Sequence, residues 1–113
     1  MLLNLSNHPS ASWSPAQLAA AGGKVIDLDF PAVDPYGDED YIEQLANEYY
    51  NKIIAMQDVV TVHLMGEMNF TVALVTKLKE SGIKCVASTT KRETVEENGV
   101  KISKFNFVRF REY

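Results

Sequence analysis

The run DVVTVHLMGEMNFTVALVTKLKES, residues 58–81, decides the fold. Its first eight residues are apolar and rich in β-branched side chains, which predicts a central parallel strand buried on both faces. After Asn69 the apolar residues Phe70, Val72, Ala73, Leu74, Val75 and Leu78 predict a helix that stops at Gly82. Gly66 and Glu67 lie at the junction, on the carboxyl side of the strand, where open α/β sheets hold their ligands.

The flanking segments repeat the alternation. LLNLS (2–6) reads as a strand and NHPSASWSP (7–15) as a loop. Ser14, Pro15 and Gln17 then supply a capped helix start, and Gly22-Gly23 a stop. KVIDLDF (24–30) reads as a strand, and PAVDPYGDED (31–40) as a loop ending in a cap at Asp38. The next helix buries Ile42, Leu45, Tyr49, Ile53 and Met56 and carries acids in its first turn. IKCVAS (83–88) is the fourth strand and STTKR (88–92) a polar turn. In the remaining segment Asn98-Gly99 separates two β-prone runs, the signature of a hairpin. Within FNFVRFREY, strict alternation puts Phe105, Phe107, Arg109 and Arg111 on one face and Val108 and Phe110 on the other. The expected fold is a single α/β domain over residues 1–113. It is a Rossmann-like three-layer parallel sheet of four strands with three helices and a C-terminal antiparallel β-hairpin.

Charge narrows the partners. The formal net charge is −4, with eight acids against Lys24 in residues 1–48 and seven acids against ten bases in residues 49–113. That balance excludes a general duplex nucleic-acid groove and leaves room for a local anion site. Cys85 is the only cysteine and lies in an apolar run, so it reads as a small buried residue with no disulfide to make. No stretch approaches about 18 consecutive apolar residues, and the first ten lack a signal-peptide pattern, so no membrane partner and a cytoplasmic location are expected.

Three loops are expected at the carboxyl edge of the sheet: SNHPSASW, MGEMN and STTKR. They gather Asn7, His8, Ser10, Ser12, Glu67, Asn69, Ser88, Thr89, Thr90, Lys91 and Arg92. Trp13 either stacks on a base or packs as a lid on the first helix. His63 sits inside the apolar strand and reads as a satisfied core histidine, whereas His8 is better placed for chemistry. Gly66 relieves a sharp turn and lets a ligand approach the backbone. Glu67 either caps the following helix or acts as a general base or as an acceptor for a ribose hydroxyl or an adenine amine. No metal-ligand spacing, dinucleotide fingerprint, phosphate-binding loop or nucleophile elbow is present, so no metal and no cofactor are expected.

Taken in order, LLNLSNHPS followed by Trp13, VHLMGEMNFTVALV, CVASTT followed by Arg92, and KFNFVRFREY resemble the small single-domain CRISPR-associated proteins of type III systems. Such proteins are similar to ring nucleases, which bind cyclic oligoadenylate in a homodimer cleft and cut it to end the antiviral response. The resemblance implies metal-independent cleavage, in which a ribose 2′-hydroxyl attacks the adjacent phosphate. It implies that Asn7, Ser10, Ser12, Thr89, Thr90 and Arg92 supply donors and that His8 or Glu67 handles the proton. Trp13, Gly66 and Asn69 complete the expected ligand set. The first loop has no lysine or arginine, which leaves phosphate binding to backbone amides and Arg92. Two other expectations stay open: a module that binds the same messenger without cutting it, and a structural accessory protein that assembles through its C-terminal strand.

Overall fold

The computed structural model describes all 113 residues. Strands β1 (Leu2–Ser6), β2 (Val25–Asp27), β3 (Thr61–Met65), β4 (Lys84–Glu97) and β5 (Val100–Glu112) form one mixed sheet in the order β2-β1-β3-β4-β5. The first four run parallel to their neighbours, and β5 returns antiparallel to β4. Helices α1 (Pro15–Ala21), α2 (Glu39–Ile54) and α3 (Met68–Glu80) make the connections.

Local chemistry sets the helix ends. Ser14 Oγ accepts from the Gln17 amide, Pro15 fills the first turn, and Gly22 closes α1 at φ +71°. Asp38 accepts from the Tyr41 amide at the start of α2, and Glu39 and Asp40 follow it. The helices α2 and α3 lie side by side on one face of the sheet, tied at the surface by the Lys77–Glu43 ion pair. Beneath them Leu3, Leu5, Val62, Leu64 and Cys85 meet Ala46, Ile53, Phe70, Leu74 and Leu78 in the apolar core. Strand alternation sends Leu2, Asn4, Ser6 and His63 to the opposite face, under α1 and Trp13. All four are buried.

Three expectations are corrected. The sheet has five strands in place of four plus a separate hairpin, because STTKR is no turn: β4 runs through it. Beyond Val86, β4 pairs only with β5; Ser88 and Phe110 still pack under α1 and Trp13, and from Thr90 on the two-stranded ribbon is largely exposed on both faces. Polar composition at Ser88–Arg92 therefore marks exposure and not chain reversal. The reversal comes at Asn98 (φ +52°) and Gly99 (φ +77°), the left-handed pair that a tight hairpin needs.

The second correction concerns β2, which stops at Asp27. Leu28–Phe30 leave the sheet, and the Phe30 ring packs edge-on to Phe70 at 5.3 Å. The third concerns FNFVRFREY, where alternation breaks. Thr89 pairs with Arg109 and Thr90 with Phe107, so Val108 is the extra residue of a β-bulge. The bulge brings Phe107 onto the same face as Phe110, with ring centroids 5.1 Å apart.

No helix is long and apolar enough to cross a membrane.

Candidate functional site

The strand order reverses beside β1, whose neighbours are β2 and β3. On the α1 face at the carboxyl ends of these strands lies an open cleft of about 620 Å³. Its walls come from the first loop and α1 (His8, Ser12, Trp13, Gln17), from β3 and β4 (His63, Met65, Ser88, Thr90) and from the β5 ribbon (Phe105, Asn106, Phe107). No lysine or arginine is among its lining residues.

A chain of hydrogen bonds runs across four strands under this cleft. Register places Asp27, Asn4 and His63 in one row, because Asn4 pairs with Asp27 on one side and His63 on the other. Asn4 Nδ2 donates to Asp27 Oδ1 at 2.9 Å and to the His8 carbonyl at 2.8 Å. Both partners are acceptors, so the amide can face only one way. Its Oδ1 therefore accepts from Ser6 Oγ at 2.8 Å and from His63 Nδ1 at 2.9 Å. The imidazole proton is thereby fixed on Nδ1, and Nε2 presents a lone pair to Ser88 Oγ, 2.7 Å away. Ser88 donates there and in turn accepts from Gln17 Nε2 at 3.0 Å.

Burial sets the charge state of the row. The His63 side chain is 1% exposed. Desolvation, with a smaller push from His8, lowers its pKa from 6.5 to about 4, so it is neutral at pH 7. Burial works to raise Asp27, but hydrogen bonds from Asn4 and Ser10 outweigh it and hold the carboxyl below its ordinary range. Asp27 also anchors the first loop: Ser10 Oγ donates to its Oδ2 at 2.8 Å, and the Ser10 amide to Oδ1 at 3.1 Å.

Trp13 is a lid and does not stand exposed. It is 7% exposed, donates Nε1–H to the His8 carbonyl at 3.0 Å, and packs edge-on to His63 and against Phe110. The His8 carbonyl thus gathers donors from Asn4 and Trp13, which holds the His8 backbone beside the cleft.

The structure draws together some of the expected residues and separates others. His8, Ser12, Trp13 and Thr90 line the cleft. Ser10 faces Asp27 behind it, and Asn7 is exposed beyond the end of β1. Gly66 does not open a path for a ligand: a Cβ built there would overlap the Phe30 ring, which occupies the space. Glu67 caps α3, with Oε1 accepting from the Asn69 amide at 2.7 Å and Oε2 from the Phe70 amide at 3.0 Å. Asn69 lies in that first turn. Thr89 Oγ1 bonds the Arg109 backbone across the ribbon, and Arg92 reaches Ser103 Oγ at 3.1 Å over the Phe105 ring. No group of three or more His, Cys, Asp or Glu side chains is gathered as a metal cage.

Sequence reasoning passed over Asn4 and Gln17, and placed His63 in the core without its link to Ser88. The available signal was an asparagine centred in LLNLS and a histidine centred in TVHLM, each a polar residue flanked by apolar ones. A buried polar group needs a partner, and these two partner each other.

Comparison with curated proteins and with solved structures gave no match. One family model matches, the uncharacterized protein MJ1673 family, over residues 1–111. Since that match spans nearly the whole sequence, the chain belongs to the MJ1673 family.

Proposed function

We propose that the cleft binds a cyclic oligoadenylate messenger of type III CRISPR defence and cleaves it without a metal, as a cytoplasmic homodimeric ring nuclease. The observation that carries this reading is the composition of the cleft wall: aromatic rings and neutral hydrogen-bonding groups face one crevice beside a histidine. Adenine has a large apolar face and a polar edge, and Phe105 and Phe107 offer rings for the first while Asn106, Thr90 and Gln17 offer partners for the second. The resemblance in SNHPS, MGE and FVRFREY supplies the messenger, and the reversal of strand order beside β1 accords with a Rossmann-like core. The outer edge of β5 has no strand beside it, which makes it a natural seam for a second copy.

In this reading the ligand ribose lies toward the sheet edge and its phosphate toward the first loop. A 2′-hydroxyl attacks the neighbouring phosphorus in line, loop amides hold the phosphate together with a Ser12 hydroxyl that turns from the Pro9 carbonyl it meets at 2.8 Å, and His8 serves proton transfer at the cleft wall. The test is incubation of the pure protein with cyclic tetra-adenylate in EDTA. Linear products support the reading, and intact substrate after prolonged incubation with excess protein contradicts it.

A second reading has its own support. No cation lines the cleft, so nothing there neutralises the charge that builds on phosphate during cleavage. A module that binds the messenger and does not cut it meets that description, and saturable binding without turnover selects it.

A further inference from the structure

We infer that Ser88 is a catalytic residue of this cleft: its Oγ takes the proton of a ligand hydroxyl while its own proton passes to His63 Nε2, which Asn4 holds in the accepting tautomer. The inference rests on the reading of the cleft as a ribonucleotide site and deepens it.

Hydrogen-bond accounting leads to Ser88. A serine hydroxyl has one proton and two lone pairs. The proton is committed to His63 Nε2 at 2.7 Å, and one lone pair to Gln17 Nε2 at 3.0 Å. The remaining lone pair belongs to an oxygen on the cleft wall. Whatever meets Ser88 from the cleft must therefore donate, as a ribose hydroxyl does and a phosphate oxygen does not. Behind Ser88 the row is anchored at every joint, since Asn4 is held by Asp27 and the His8 carbonyl, and the His63 ring by Asn4 and Trp13. A nucleophile-facing hydroxyl, a base and an orienting group in hydrogen-bonded series is the arrangement that moves a proton off an attacking oxygen.

The step balances. The 2′-hydroxyl proton moves to Ser88 Oγ as the Ser88 proton moves to His63 Nε2. The 2′-oxygen forms its bond to phosphorus, and the bond from phosphorus to the 5′-oxygen breaks. The departing 5′-oxygen takes a proton by way of His8 on the cleft wall, which recovers it from water at the open mouth, and His63 returns its proton to solvent through Ser88. The products are a 2′,3′-cyclic phosphate and a 5′-hydroxyl, with no net proton change. Burial keeps His63 neutral before the step, so Nε2 carries its lone pair, and the same burial disfavours the imidazolium, so His63 holds the proton only in passing. His63 and Asn4 are positioning residues here, acting through Ser88.

The experiment measures kcat and KM on cyclic tetra-adenylate in EDTA for the wild-type protein, Ser88→Ala, Ser88→Thr, His63→Gln and the Ser88→Ala/His63→Gln double variant. The wild-type arm alone tests the nuclease reading, and its failure removes the relay with it. Given wild-type turnover, the relay predicts that Ser88→Ala lowers kcat about 100-fold with KM within about threefold. Ser88→Thr, which keeps the hydroxyl, stays within about tenfold of wild type. His63→Gln shows the same split, and the double variant is no slower than the slower single one, because both changes cut the same path. Wild-type kcat in Ser88→Ala overturns the relay and leaves the nuclease reading intact, as do fully additive losses in the double variant. If His63→Gln does not fold, the Ser88→Ala and Ser88→Thr pair decides the matter.

Discussion

His63 Nδ1 donates to Asn4 Oδ1 at 2.9 Å, a bond that joins the middle residues of the neighbouring strands β3 and β1. The row it completes carries consequences for stability as well as for chemistry.

The first concerns pH. The folded His63 pKa of about 4 lies below its unfolded value of 6.5, so between those values the unfolded chain binds the proton and the folded chain does not. Stability then rises with pH across that window and is fully present above about 6.5. The gap between 6.5 and about 4 corresponds to about 3 kcal/mol as an upper figure, lost on acidification. Urea unfolding of the wild type across this range should show the loss, and His63→Gln should remove that part of the slope. Asp27, held below its ordinary range by its hydrogen bonds, adds a slope of its own at the acid end, which the variant retains. An unchanged profile in His63→Gln would mean that His63 is not held neutral in the fold.

The Phe30 ring over Gly66 yields the second prediction. Gly66→Ala should destabilise the chain by about 1–3 kcal/mol, the usual cost of overpacking a filled site. The penalty should shrink in a Phe30→Ala background, where the clash is gone. Chemical denaturation of the four proteins checks it, and equal penalties in both backgrounds would contradict the contact.

The α3 cap yields the third. Glu67→Ala removes both acceptors of the Asn69 and Phe70 amides and should cost about 1 kcal/mol, while Glu67→Asp, a preferred cap, should recover most of it. Unfolding midpoints that match for wild type and Glu67→Ala would show that the carboxylate is free for other work.

How much of this was legible in the sequence differs by element. The β3–α3 unit and the Asn98-Gly99 reversal follow from local pattern, since residue type there dictates backbone geometry directly. Ser88–Arg92 misled because polarity is shared by turns and by wet ribbons, and only pairing with β5 distinguishes them. Val108 misled because a bulge is a relation between two strands, invisible in one. The Asp27–Asn4–His63–Ser88 row lies furthest from local pattern. Its members are spread from Asn4 to Ser88; register aligns Asp27, Asn4 and His63, and Ser88 lies two residues past Val86, the β4 partner of His63. Glu67 was legible as a cap from its place before the helix, and the choice between cap and base needed the two amides.

Trp13 is the only tryptophan in the chain, and it touches both the cleft and His63. Its fluorescence therefore reports on the cleft, which makes titration with cyclic tetra-adenylate in EDTA the most direct test of where the messenger binds. A saturable change in Trp13 emission is expected, weakened by substitutions at Phe105 and Phe107. Product formation that proceeds with no change in Trp13 emission would place the messenger elsewhere, and no response at any ligand concentration would contradict binding at this cleft.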